Sequence, residues 1–297
     1  MRVVEKAYAK INLALCVTGA KDGFHTLDSV VTTVDLYDTV TLTTRKDDKI
    51  RVIPQGNSEY VYSHIPQKDN AYKAVEVFMK EYGTNGADVV VTKRIPISSG
   101  MGGSSTDASA VLRAMQRAYK VKDADLVSLA NSLGSDTAYL LKGGFARLNG
   151  RGEIITPLNV KHRINFVVVF CEKGVNTAEC FKLFDQMDEK QECCDISRLI
   201  DSLQSETPDF SQCKNQLFLP AIKLNAQVKS AYDALKALSP DACFMTGSGS
   251  AVCAIFNYEP LCDWAVDKLN RQGFNAIKAK SEKTGAFRND IRFFRSE

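Results

Sequence analysis

No apolar run in this chain approaches the roughly 18 residues of a membrane-spanning helix, and the opening Met1-Arg-Val-Val-Glu-Lys6 lacks the apolar core of a secretory leader. A block of Lys and Arg interleaved with aromatics is also missing. The net charge is only +3 over 297 residues, too small to indicate nucleic acid. The nine cysteines are an odd number and contain no C-x-x-C pair. Several of them (Cys16, Cys171, Cys243, Cys253) sit inside apolar, strand-like runs and read as reduced core residues. Cys193-Cys194 lies in a polar stretch and reads as an exposed loop rather than a redox site. Repeats and low-complexity segments are absent. What remains is a globular chain, expected in the cytoplasm and bound to neither membrane nor nucleic acid. It is 44% hydrophobic and long enough for two ordinary domains or one large one.

The most informative stretch runs from Pro96 to Ala110, Pro-Ile-Ser-Ser-Gly-Met-Gly-Gly-Ser-Ser-Thr-Asp-Ala-Ser-Ala. A strand-like run, Asp88 to Lys93, precedes it. Behind it Ala108, Val111, Leu112 and Met115 recur at helical spacing. Gly100, Gly102 and Gly103 can take positive φ and hold no side chain against a ligand, so successive N–H groups can converge on an anion. Any of Ser104, Ser105, Thr106 or Asp107 can cap the helix, whose N-terminus would then face the loop. No Lys follows the last glycine, so this is not the Walker P-loop.

Elsewhere the residues alone leave choices open. Ala7 to Leu15 alternates as a strand, with Lys10 and Asn12 on the face opposite Ile11 and Leu13; a half-exposed edge explains them as well as a site does. Asp22 to Leu27 reads as a turn carrying Phe24 and His25, and Val30 to Leu42 as strand-like with turn chemistry at Asp38. Residues 45 to 69 are polar, with Pro54, Gly56 and Pro66 marking loops. Asp69-Asn70 caps a helix whose stripe is Ala74, Val75, Phe78, Met79 and Tyr82. A helix opening at Asp123 ends at Gly134, and Asp136 just beyond it reads as a turn residue or the next N-cap. Residues 185 to 213 give no motif. Ala221 to Leu238 predicts one long helix, and two strand-like runs flank Gly247-Ser-Gly249 as a hairpin would.

Pro-x-x-x-Gly-Met-Gly-Gly-Ser-Ser resembles the phosphate motif of the GHMP kinases. Lys10-Ile-Asn-Leu13, Gly23-Phe-His25, Gly134-Ser-Asp136, Gly174-Val-Asn176 and Thr246-Gly-Ser-Gly249 follow, in order, the pattern of the diphosphocytidyl-methylerythritol kinase branch. The resemblance implies an α+β, two-domain GHMP kinase fold, with an N-terminal half (1–160) like ribosomal protein S5 domain 2 and a ferredoxin-like C-terminal half (161–297). It also implies ATP with Mg²⁺, metal ligands unassigned, and a small cytidine diphosphate-linked alcohol as acceptor, in a monomer or weak homodimer. Asp136 becomes the catalytic base and Lys10 its partner. ATP contacts fall on Pro96, Ser98, Ser99, Gly100, Met101, Gly102, Gly103, Ser104, Ser105 and Thr106, with Asn70 and Lys93 near the adenine. Substrate contacts fall on Asn12, Phe24, His25, Phe181 (Phe184 being its rival), Gly247, Ser248 and Gly249. The chain departs from the family pattern at Ser104, where a glycine is usual, and at Ala138, where proline is. Two other readings stay open: a related kinase of another small alcohol, and a nucleotide-binding regulator without turnover.

Overall fold

In a computed structural model, which describes residues 1–56 and 66–282, the chain forms two sheets flanked by helices. A long hairpin starts the first: β1 (Arg2–Lys21) pairs along its length with β2 (Phe24–Thr44) through a turn at Asp22-Gly23. Both turn residues have positive φ, 52° and 77°, the backbone that suits the twist of the flanking strands and that Asp-Gly adopts readily. The other edge of β2 pairs with β4 (Ala87–Thr92) at one end and β5 (Ala146–Gly150) at the other. β3 (Arg51–Gln55) adds parallel to β4, and β6 (Ile154–Pro157) antiparallel to β5. The second sheet is antiparallel, in the order β10-β7-β9-β8: β7 spans Asn165–Phe170, β8 Ala242–Met245, β9 Val252–Ile255 and β10 Asn275–Lys280.

Helices cover each sheet through apolar stripes. α1 (Asn70–Tyr82) buries Ala71, Ala74, Val75 and Phe78 beside α2 (Gly103–Tyr119), against Val40, Leu42 and Val89 of the first sheet. Burying Val75 and Phe78 contributes about 1.5–3 kcal/mol each. α1 ends at Gly83, whose φ of 60° is a left-handed cap that lets its N–H reach the Met79 carbonyl. α3 (Leu126–Leu133) and the short α4 (Thr137–Leu140) complete this half. Over the second sheet lie α5 (Thr177–Gln186), α7 (Phe218–Leu224), α8 (Ala226–Lys236) and α9 (Glu259–Arg271). α6 (Ile196–Gln204) packs Leu199 and Leu203 into a core that joins Ile11, Leu13 and Val34 of the first sheet to Phe166, Val168 and Phe244 of the second. That shared apolar seam holds the two sheets together.

The structure corrects several expectations. Residues 7 to 15 of β1 are buried on both faces, so Lys10 and Asn12 do not lie on an exposed edge. β2 runs unbroken through Asp38, whose carboxylate accepts the Arg94 and Ile95 N–H groups from inside the sheet rather than making a turn. His25 likewise lies within β2, paired with Ala20. Pro54 is in β3, an edge strand, where a missing N–H is tolerated. α3 is capped by Asp125, not Asp123, its side chain accepting from the Ser128 N–H at 3.0 Å. α6 occupies part of the stretch that lacked a motif, and the predicted helix from Ala221 is divided in two. Asn225 ends α7 and caps α8: its Oδ1 accepts from Gln227 N–H at 3.0 Å while its Nδ2 donates to the Lys173 carbonyl at 2.7 Å.

Candidate active site

A cleft of about 1220 Å³ takes its walls from both halves. Its floor is the loop from Pro96 to Gly102 and the start of α2. The helix begins at Gly103 with Gly102 as its N-cap, one turn earlier than a hydroxyl cap requires, so Ser104, Ser105 and Thr106 belong to the first turn. Gly103 is helical and needs no positive φ, whereas Gly100 and Gly102 have φ of 78° and 74°. A Cβ at Gly100 would lie 2.2 Å from the Thr246 carbonyl oxygen, and one at Gly102 would lie 3.2 Å from Lys10 Cγ. Glycine is therefore required at both by backbone angle and by close approach. Ser104, by contrast, sits in ordinary helix, so the family's glycine there is dispensable for this backbone. The unpaired N–H groups of the α2 N-terminus open towards the cleft, which suits phosphate.

The loop is locked to the second sheet through its backbone. Ser99 and Ser98 carbonyls accept from Ala251 N–H at 3.0 Å and Ser250 N–H at 3.1 Å, and the Met101 carbonyl accepts from Lys10 N–H at 3.0 Å. From the other side, Asn215 donates through Nδ2 to the Met245 and Gly247 carbonyls at 2.7 and 2.8 Å, holding the segment that carries Gly247, Ser248 and Gly249. Thr177 and Ser248 hydroxyls lie 2.8 Å apart, closing the rim.

Lys10 and Asn12 are brought to the cleft by β1, whose pairing with β2 shifts register on either side of them, between Tyr8 and Lys10 and between Asn12 and Ala14. Bulges of this kind re-aim side chains beside functional sites. The Lys10 ammonium donates to Asn12 Oδ1 and lies 3.5 Å from Asp136 Oδ2. Asn12 is fixed in turn, with Nδ2 donating to Ser29 Oγ at 2.8 Å and Oδ1 accepting from Gly247 N–H at 3.1 Å. Asp136 stands at the head of α4, tied to α2 by the Ser109 hydroxyl, which is 2.8 Å from both the Ser105 and Thr137 carbonyl oxygens. Arg113, buried on α2, donates to the Leu140 carbonyl at 3.1 Å and steadies the far end of α4. Ala138 is buried there, and the turn forms without proline.

Lys93 is buried, not a solvated strand end, and its ammonium donates to both Asp38 and Asp107. Burial alone would depress its pKa, but Asp107 and then Asp38 outweigh it and raise the group. Asp107 is pushed up to about 8, by burial first and also by the Asp38 charge, against the pull of Lys93. Its buried Oδ1 has no hydrogen-bond partner among the described residues.

At the other end His25 Nε2 lies 2.9 Å from Asp185 Oδ1, and its ring stacks on Phe181 with centroids 4.5 Å apart and planes at 23°. Phe181, on helix α5, lines the cleft, whereas Phe184 is buried in the core. Phe24 is exposed, with the Arg151 guanidinium 4.0 Å from its ring centroid. Among the residues singled out from the sequence as contacts, Thr106, enclosed in α2, and the rival Phe184 are off the cleft wall; Asn70, Lys93, Pro96, Met101 and the others line it. Asp185, Thr177, Arg151 and Asp107 were missed. Asp185 had a usable signal, since it follows Phe181 by one helical turn and shares its face.

The GHMP kinases N terminal domain model matches residues 69–145. A 4-diphosphocytidyl-2-C-methyl-D-erythritol kinase of Bacillus pumilus is 33% identical over 267 residues, covering 87% of this chain and 90% of that protein. One from Clostridium beijerinckii is 34% identical over 259 residues, covering 85% and 90%. A crystal structure of 4-(cytidine 5'-diphospho)-2C-methyl-D-erythritol kinase superposes with a TM-score of 0.75 at 26% identity over 94% of this chain and 98% of that one. Homoserine kinase from Cytophaga hutchinsonii, at 17% identity and a TM-score of 0.69 over 93% and 94%, shares the fold. With the glycine loop, the Lys10–Asp136 pair and these relatives together, the chain belongs to the 4-diphosphocytidyl-2-C-methyl-D-erythritol kinase family of GHMP kinases.

Proposed function

We propose that this ATP-dependent small-molecule kinase phosphorylates the 2-hydroxyl of 4-diphosphocytidyl-2-C-methyl-D-erythritol, a step in the non-mevalonate route to isoprenoids. The observation that carries the reading is that one cleft holds both an anion-binding glycine loop beside a Lys–Asp pair and an aromatic, hydrogen-bonding end formed by His25 and Phe181. Phosphoryl transfer needs phosphate charge neutralised, the hydroxyl aligned and its proton removed. The Ser98 to Ser105 backbone and the α2 N-terminus receive the ATP phosphates. Asp136 accepts the hydroxyl proton as the new O–P bond forms, and Lys10 meets the charge that builds on the transferred group. At the far end the Phe181 ring offers a stacking face to cytosine, and His25, oriented by Asp185, offers the cytosine edge a hydrogen bond.

Mg²⁺ fits the same proposal. Asp107 lines the cleft beside Ser104 and Ser105 and carries an unpartnered buried oxygen, a hard donor of the type this ion takes. Bound there, it would offset phosphate charge. The proposal divides the chain near residue 160, between β6 and β7, and places a monomer or weak homodimer in the cytoplasm.

The test is ATP consumption by purified protein with Mg²⁺ and the diphosphocytidyl alcohol, beside an Asp136→Asn control. Turnover falling by about a hundredfold or more in the control is expected for a positioned base. Turnover that survives the substitution sinks the role of Asp136, and ATP binding without turnover redirects the search to other alcohols.

A further inference from the structure

The sulfur cluster on the α5 side of the cleft differs from what the sequence led us to expect. Cys16 and Cys193, 177 positions apart, are joined by a disulfide, and Cys194 is buried rather than exposed. The Cys194 sulfur lies 3.4 Å from Cys16 Sγ, and all three sulfurs fall within 4.8 Å of one another. Cys16 is fully buried and follows Leu15, which lines the cleft; Cys193 is exposed. The loop carrying the cysteine pair continues directly from α5, the helix of Phe181 and Asp185. A second, weaker tie runs beside the disulfide: Gln216 Oε1 accepts from Val17 N–H at 2.7 Å while its Nε2 donates to the Gln191 carbonyl at 2.9 Å.

We propose that Cys16, Cys193 and Cys194 form a thiol–disulfide relay through which external thiols set how firmly the α5 wall of the cleft is held. Its effect on affinity rests on the reading of that wall as the cytidine end. An outside thiolate reaches the exposed Cys193 sulfur, forms a mixed disulfide with it and expels Cys16 as thiolate. A second equivalent takes the outside sulfur off as its own disulfide, so two electrons enter and Cys16 and Cys193 are left as thiols. The internal step needs no outside reactant. The Cys194 thiolate attacks Cys16 Sγ, the Cys16–Cys193 bond breaks as Cys16–Cys194 forms, and Cys193 leaves to take up the proton that Cys194 lost. Burial raises the Cys194 thiol above its ordinary pKa, which keeps it protonated and leaves Cys193 as the resting partner. Disulfides in a reducing interior are usually transient or redox-sensing, which favours a switch over a permanent staple.

The test begins with protein purified without reductant, alkylated under denaturing conditions and mapped by mass spectrometry. One disulfide from Cys16 is expected, with seven thiols free. Cys193→Ser is expected to relink Cys16 to Cys194. Hydrogen exchange of residues 177–195 should quicken on reduction by dithiothreitol, and should not respond to it in the Cys193→Ser/Cys194→Ser double variant. The Kd for CDP should rise by roughly three- to tenfold on reduction, the scale of re-ordering one or two contact side chains, while ATP binding stays constant. Nine free thiols, stoichiometric zinc held by the three cysteines, a Cys193→Ser protein without the new bond, or exchange indifferent to reduction would each overturn the relay. CDP binding in neither state, with exchange still responding, would overturn the cytidine reading and leave the relay standing.

Discussion

The two ends of the cleft are made differently. The proposed phosphate end is backbone: a contiguous loop, two glycines in left-handed geometry and a helix start, pinned by main-chain hydrogen bonds to Ser250 and Ala251. The proposed cytidine end is side chains drawn from β2 and α5, residues 25, 181 and 185, held by one stack and one partly exposed hydrogen bond. Backbone sites tolerate little because their geometry is over-determined. Side-chain sites can weaken by degrees.

Perturbing each end sharpens that contrast. Gly100→Ala at the backbone end should be the most damaging, because its Cβ meets a carbonyl oxygen and its φ is positive. A loss of about 2–5 kcal/mol is expected from strain and overpacking together, read as a lowered urea midpoint with ATP binding abolished. If Gly100→Ala behaves like wild type, the loop is not rigid and the contrast fails. Phe181→Ala should raise the KM for the cytidine substrate by about two- to tenfold and leave the KM for ATP unchanged, from a stack worth ~0.5–1.5 kcal/mol. Asp185→Asn removes the charge of a half-exposed partner, and a shift of no more than about fivefold in the same KM is expected, shrinking at high salt.

A pH experiment separates the ends by charge. Asp107 is raised to about 8 in the folded protein, so between its unfolded value near 4 and about 8 the folded state binds more protons than the unfolded one. Its contribution is therefore fully present below pH ~4 and is lost as pH rises through 8. Urea denaturation of Asp107→Asn should show a shallower fall in stability over that window than wild type. Equal slopes in wild type and Asp107→Asn would mean that Lys93 holds Asp107 ionised throughout.

Much of the phosphate end was legible in the sequence. Gly100 and Gly102 were read correctly because a positive φ leaves a local signature, and α1 because its apolar period is clear. The hydroxyl caps proposed for α2 were wrong: Gly102 caps without a side chain, and hydroxyls one turn too late look alike on paper. Asp136 read as a turn residue until the family pattern was considered, and the chain before it gives no hint that Lys10 lies 3.5 Å away. Asp38 looked like a turn because buried and solvated carboxylates have the same letter; only its bonds to Lys93, Arg94 and Ile95 distinguish them. The long helix from Ala221 failed at Asn225, whose side chain competes with the backbone for hydrogen bonds.

The sequence by itself determined the glycine loop, through backbone angles encoded in neighbouring residues, and its ordered motifs implied the α+β class and the kinase family through resemblance alone. Tertiary structure alone decided other meetings: His25 with Asp185, Lys93 with two carboxylates, and Cys16 with Cys193. Those encounters depend on register, bulges and the packing of two sheets across a common core, and no local pattern specifies a partner that lies on another element.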